Sequence, residues 1–253
     1  MKRILVFLYG VVSYAIFFGT FVYAAGFIGN FLVPKTMDSG ATGPLGTALL
    51  VNGLLLAVFA VQHSGMARPG FKQWLTRYIP EPAERPTYVL LSSLALILLF
   101  AAWQPLGGTI WHIESSAGQA ILYGLFALGF LIVLVTTFLI NHFDLFGLRQ
   151  VWLYLRGREY TPVRFVEPGP YKLVRHPLYV GWLLAFWAAP TMTASHLVFA
   201  IATTAYILVA IQLEERDLEA SLGEDYRAYR DRVPMLIPGR KRGEAAAEPI
   251  RAN

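Results

Sequence analysis

Six stretches of the chain carry almost nothing but apolar residues, and the charges lie between them. They are Ile4–Val33, Leu45–Gln62, Thr87–Trp103, Ala120–Ile140, Leu178–Ala194 and Leu197–Leu213. The runs are continuous rather than alternating, which predicts membrane-spanning helices and not the strands of a barrel. From Leu178 to Leu213 there are 36 residues without an Asp, Glu, Lys or Arg. At about 1.5 Å per residue that is too long for one crossing of about 30 Å and suits two short ones. Pro190 and the polar run Thr191–His196 supply the bend. A helical hairpin therefore returns Glu214 and Glu215 to the face that holds Arg175 and His176.

The polar stretches have structure of their own. Pro69, Gly70, Pro80, Pro82 and Pro86 break the segment 63–86 into a loop with a short helix over Phe71–Tyr78. Leu148, Val151, Trp152 and Leu155 recur at helical spacing, so Leu148–Leu155 is an amphipathic helix suited to a membrane surface, stopped by Gly157. Pro162, Pro168 and Pro170 keep the next segment extended. The last span continues to Leu222, because Leu218 and Leu222 keep helical spacing, and Gly223 ends it. Glu224–Arg232 forms a further polar turn or two, and 239–253 is a disordered tail rich in Ala, Glu and basic residues. The expected architecture is an all-α integral membrane protein of five to six crossings, one domain over 1–238, with a C-terminal hairpin and short C-terminal helices.

Composition agrees: 56% of residues are hydrophobic and only 15% charged. With both termini on the cytoplasmic side, every Lys and Arg except Lys35 falls in a cytoplasmic segment. The net charge of +5 is then an orienting charge that meets anionic headgroups, and it gives no support for nucleic-acid binding. Lys2 and Arg3 precede an apolar run too long for the core of a cleavable signal peptide. The absence of Cys removes disulfides, thiolate metal sites and Cys nucleophiles.

Few residues remain that could carry chemistry. His63, His142 and His176 fall at cytoplasmic ends of spans, His112 and His196 on the other face. Arg175-His176-Pro177 reads structurally as a basic edge with Pro at the first helical position. A cation at a helix N-terminus is mildly unfavourable, however, and Gly181 one turn in admits close approach of a ligand to the backbone, which points to function. Glu214 and Glu215 could be a solvated helix face, but two carboxylates directly after a long apolar run usually have a reason. Adjacent helical residues point about 100° apart, so one faces a ligand and the other braces the loop. Asn141-His142-Phe143-Asp144 offers either a helix-end cap or a His–Asp pair. His63, between Gln62 and Ser64, reads first as an ordinary polar helix end. A three-His metal site lacks any supporting spacing, so no metal is expected. Tyr78, Tyr88, Trp103, Trp111, Trp152 and Tyr154 read as an interfacial belt.

Arg175-His176-Pro177-Leu178-Tyr179-Val180-Gly181, the hairpin, Glu214-Glu215 and Gly223-x-x-Tyr226-x-x-Tyr229 resemble the isoprenylcysteine carboxyl methyltransferase and phospholipid methyltransferase superfamily. The run Asn141–Trp152, Arg158–Pro162, Ala185–Ala188 and Pro190–Thr193 is similar to one branch of it, the bacterial methanethiol S-methyltransferases, relatives of NnrU-type membrane proteins. The resemblance implies a multi-pass enzyme of the bacterial inner membrane that methylates a small thiol, methanethiol to dimethyl sulfide. It implies S-adenosylmethionine as methyl donor, clasped by Arg175, His176, Pro177, Leu178, Tyr179, Gly181, Glu214 and Glu215. A thiol must lose its proton to attack, and His142, braced by Asp144, is the first candidate base, with His63 second. A lipid or prenylcysteine acceptor and a non-enzymatic accessory role are the alternatives. A transporter is disfavoured, because no paired Gly/Pro breaks and no charges sit at mid-membrane.

Overall fold

The computed structural model describes residues 1–162 and 166–239. Among the described residues, five helices are long and apolar enough to cross a membrane: α1 Lys2–Gly29, α2 Leu45–Ala67, α4 Glu84–Ala102, α5 Ser116–Ile140 and α9 Ala194–Leu222. Short helices join them on one face: α3 Pro69–Leu75, α6 His142–Leu145, α7 Leu148–Leu155 and, after α9, α10 Glu224–Arg232. Leu8, Val12 and Val22 on α1, Leu50 and Leu54 on α2, and Ile121 and Leu131 on α5 are exposed, as lipid-facing positions should be. Phe27, Phe100, Trp103, Phe126, Phe130, Phe186 and Phe199 fill the space between the helices. Trp103 is therefore core, fully buried, while Tyr78 and Trp152 stay exposed, so the expected aromatic belt is only partly a belt. The tail expected from Gly239 lies, from residue 240 on, outside the described residues.

The hairpin differs from the expectation in its first arm. α8 spans Pro177–Trp187 and is only 11 residues long, about 17 Å at about 1.5 Å per residue. The crossing is completed by extended chain, not by helix to Ala194. Pro190 cannot extend a helix, and Thr191–Thr193 forms a strand, β2, antiparallel to β1 (Thr109–His112). The non-helical backbone finds partners there: Ile113 N–H donates to Pro190 O at 2.9 Å and Trp111 Nε1–H to Ala189 O at 3.1 Å. Thr193 Oγ1 donates to Asp38 Oδ1 at 2.7 Å, tying the ribbon to the loop after α1. Irregular chain between apolar helices keeps its polar groups satisfied by protein in this way.

Gly181 explains how α8 is seated. A Cβ at Gly181 would lie 2.8 Å from the Gly129 carbonyl oxygen and 3.0 Å from the Val133 amide nitrogen. At Gly129 it would meet Ala185 N and Gly181 O at 2.7 Å. The two glycines let α5 and α8 touch backbone to backbone, as small residues do between membrane helices. The place expected to admit a ligand at Gly181 is occupied by α5; the glycine serves helix packing.

α7 has its expected bounds and lays Val151, fully buried, against Val6 and Ala83. α9 runs past its apolar part to Leu222, and Gly223 (φ 59°) turns the chain into α10. There Leu218 and Leu222 pack on Tyr226, Tyr229 and Val233. The chain then meets the start of α8, where Arg175 N–H donates to Pro234 O at 2.8 Å and His176 N–H to Met235 O at 3.2 Å.

Candidate active site

The polar end of α9 and the first turn of α8 meet around one carboxylate. Glu215 Oε1 accepts from Arg175 Nε–H at 2.7 Å and lies 2.9 Å from His176 Nε2. The Arg175 Nη1 group also donates to Val233 O at 2.6 Å and Arg230 O at 3.1 Å. All three side chains are nearly closed from solvent, at 7%, 5% and 12% exposure for Arg175, His176 and Glu215. This buried cluster ties α8, α9 and the segment after α10 into one unit. Pro177, buried at the first position of α8, fixes the turn that aims Arg175 and His176 at α9.

Glu214 faces elsewhere. Its Oε2 accepts from the Tyr179 hydroxyl at 3.0 Å, and its side chain is 47% exposed. The adjacent carboxylates thus take different tasks: Glu215 braces, and Glu214 is open to a ligand. Leu178 is half-buried beside them.

A second polar group stands opposite, on α2 and α4. The Tyr88 hydroxyl lies 2.9 Å from His63 Nε2 and 3.1 Å from Nδ1, and Ser92 Oγ lies 3.2 Å from Nδ1. Phe59 stacks on the imidazole with ring centres 5.1 Å apart. Ser64 Oγ and the Tyr206 hydroxyl of α9 are 3.0 Å apart. That contact joins the His63 end of α2 to α9, the helix that carries Glu214, and Tyr88 and Tyr179 each lie within electrostatic range of Glu214 and Tyr206. Sequence gave Tyr88 the role of an interfacial anchor. Its position one turn after Arg85 on α4 was the available signal that it belongs with charged groups.

His142 sits in another environment. It is 2% exposed, flat against Phe138 at 4.1 Å. Its Nε2 is 2.7 Å from the Tyr14 hydroxyl and its Nδ1 2.8 Å from Thr137 Oγ1. Thr137 spends its own proton on Leu134 O at 2.7 Å, so Nδ1–H donates to Thr137 and Nε2 accepts from Tyr14. Burial holds the imidazole pKa below its ordinary value. The expected brace from Asp144 is not formed. Asp144 Oδ1 takes the Arg149 Nη1–H at 2.8 Å and Oδ2 the Tyr160 hydroxyl at 3.1 Å. Residues two apart on a helix point about 200° apart, which turns Asp144 away from the ring. His63, His142 and His176 are held in three separate networks, and no cluster suited to a metal occurs among the described residues.

The arrangement suits a cation carrying an aromatic or apolar body. Glu214 offers an accessible carboxylate that accepts from the Tyr179 hydroxyl, and the buried Arg175–Glu215–His176 cluster fixes the helix ends around it.

The comparisons with known proteins bear on the same residues. The NnrU protein family model matches residues 50–233. The chain is 61% identical to a methanethiol S-methyltransferase of Crocosphaera subtropica, with 94% of this chain and 93% of that one aligned. It is 54% identical to a methanethiol S-methyltransferase of Mycobacterium tuberculosis, over 94% of this chain and 98% of the other. Against methanethiol S-methyltransferase 2 of Bradyrhizobium diazoefficiens it is 54% identical, over 93% and 91%. No solved structure matches the chain.

Proposed function

Because the chain belongs to the NnrU family, and shares more than half its residues with methanethiol S-methyltransferases over nearly full length, we propose that it transfers a methyl group from S-adenosylmethionine to methanethiol, releasing dimethyl sulfide. The observation that carries the reading is the full-length identity, together with an open carboxylate, Glu214, held beside a buried Arg175–Glu215–His176 brace. When bound, the cofactor supplies an electrophilic methyl on a sulfonium. Glu214, with Tyr179, meets its ammonium, and the faces of Tyr88, Tyr179 and Tyr206 line the sulfonium's surroundings. Arg175, His176 and Glu215 position the helix ends through which Glu214 and Tyr179 act.

Methyl displacement needs little besides alignment and exclusion of water, which a tyrosine-lined space within a helix bundle supplies. The thiol must arrive at the methyl as thiolate. His63 takes its proton at an imidazole nitrogen once Tyr88 or Ser92 releases it; its helix meets α9, which carries Glu214, through Ser64 and Tyr206. His142 would first have to release Tyr14 from Nε2. The membrane is the bacterial inner membrane, with the basic face that carries these groups in the cytoplasm.

Purified protein given methanethiol and S-adenosylmethionine is expected to produce dimethyl sulfide in the headspace, and no methylated product from prenylcysteine or phosphatidylethanolamine. Methylation of a lipid with no dimethyl sulfide formed would refute the assignment.

A further inference from the structure

A zwitterionic cofactor needs a cation as well as Glu214, and Arg175 is badly placed to be it. Its Nε and Nη1 groups are spent on Glu215, Arg230 O and Val233 O, and the residue is 8% exposed. Only Nη2 is left for a ligand, on a nearly buried side chain, so a two-pronged grip on a carboxylate would mean breaking a bond of the brace. Another guanidinium stands over Tyr88, the partner of His63. Arg85, near the start of α4, donates its Nε–H to Leu145 O at 2.7 Å, which anchors its stem to α6. Its Cζ stands 5.1 Å over the centre of the Tyr88 ring. The two terminal nitrogens of Arg85 meet no hydrogen-bond or ion-pair partner among the described residues. A guanidinium seated on an aromatic face, held by one nitrogen and open at its fork, is prepared for a planar bidentate acceptor.

The surroundings repeat the demand for an anion. Lys72 of α3 is half-buried and forms no ion pair among the described residues, although Arg85 lies within electrostatic range. Burial, and then the nearby charge of Arg85, pull its ammonium pKa down. The acids within range do not cancel them: Asp217 is taken by Arg68 at 2.8 Å, and Glu84 makes no contact with either cation. Tyr88 lies within electrostatic range of both Arg85 and Glu214, and the Arg68–Asp217 ion pair at 2.8 Å ties the start of α3, which carries Lys72, to the turn of α9 that follows Glu214. The ammonium and carboxylate of an amino acid leave the same carbon, and a site must offer its two counter-charges that near.

We infer that Arg85, with Lys72 beside it, holds the carboxylate of the methyl donor while Glu214 holds its ammonium. The inference rests on the methyltransferase reading and adds the residues that read the donor's amino-acid end. It also implies selectivity: a sulfonium donor without that carboxylate is rejected.

The test is calorimetric binding of S-adenosylmethionine and of decarboxylated S-adenosylmethionine to detergent-solubilised full-length protein. Loss of one charge-assisted contact corresponds to about ten- to a hundredfold in affinity, so the wild type should prefer the carboxylated form by that factor. Arg85→Gln should bind the two forms alike, Arg85→Lys should restore part of the preference, and Lys72→Gln should reduce it. Because Arg85 also anchors α6, melting temperatures are taken on every variant, and Lys72→Gln decides if Arg85→Gln does not fold. A full preference retained in folded Arg85→Gln, or in Lys72→Gln where Arg85→Gln is unfolded, overturns the inference. A wild type that binds neither form refutes the methyltransferase reading itself.

Discussion

Replacing each of the adjacent carboxylates by its amide should give two different defects. Glu215→Gln removes the carboxylate that touches both the Arg175 and His176 side chains inside a cluster under 13% exposed, leaving His176 only the longer approach of Glu214 Oε2 to its Nδ1 at 4.0 Å. Gln keeps one acceptor oxygen, so a contact to Arg175 Nε survives as a neutral hydrogen bond, but the guanidinium is left with no counter-charge. Orphaning a buried charge costs about 3–5 kcal/mol. Allowing for that surviving bond and for the two carbonyls at Arg230 and Val233, we expect about 3 kcal/mol. In a chain of this size each kcal/mol moves the midpoint about 2–4 °C, so Glu215→Gln should melt about 6–12 °C low. Glu214→Gln breaks one contact to a tyrosine hydroxyl at a half-open site. It should melt as wild type yet bind S-adenosylmethionine about ten- to a hundredfold more weakly. Tryptophan-fluorescence melts in detergent, paired with calorimetric titration of the cofactor, separate the two. Equal melting temperatures for wild type and Glu215→Gln would refute the reasoning, as would a Glu214→Gln protein that melts low and binds normally.

Gly181→Ala pushes a methyl against the backbone of Gly129 and Val133, and overpacking of this kind costs about 1–3 kcal/mol; an unchanged melt would show that α5 and α8 separate easily. Burial lowers the pKa of His142 in the folded state. Its effect on stability is absent well above pH 6.5, and stability falls as pH drops through about 6.5, because the unfolded chain takes the proton first. Melting temperature followed from pH 8 to 5 should show that slope in wild type and a shallower one in His142→Gln. If His63 is the proton acceptor, His63→Ala should cut dimethyl sulfide formation about a hundredfold with cofactor affinity intact, and higher pH should restore part of it. A flat response there with a collapse for folded His142→Ala reverses the two roles.

Much of this organisation is legible in the chain. α7 starts and stops where its apolar spacing does, and α9 keeps its period from the membrane out to Leu222, where Gly223 supplies the positive φ of the turn. These are local signals, readable within about ten residues. What escaped depends on distant partners. Thr191–Thr193 looks like the tip of a helical hairpin until β1, about eighty residues earlier, gives it a strand to pair with. Gly181 invites a ligand in sequence, and only the fold shows that Gly129 has taken the space. His142 and Asp144 are close in number but on opposite sides of a turn, while His63 gains its significance from Tyr88 and from α9. Glu214 and Glu215 divided as adjacent helix positions must, but which one braces was set by Arg175 reaching from α8.

The Arg175 brace also sets an order of events during synthesis. Its guanidinium draws acceptors from Glu215, 40 positions on, and from Val233, 58 positions on. Its own N–H waits for Pro234. A growing chain can therefore insert every crossing, α8 included, before the first turn of α8 has its partners. The pocket mouth closes only when residues near 235 leave the ribosome and fold back. Until Glu215 follows it out, Arg175 carries an unneutralised charge at the membrane surface, where water and anionic headgroups tolerate it, and until residues near 235 do, it lacks its carbonyl partners. A product that ends a few residues short of Val233 would thus keep its spans and lose its latch: membrane-resident, but unable to grip a donor.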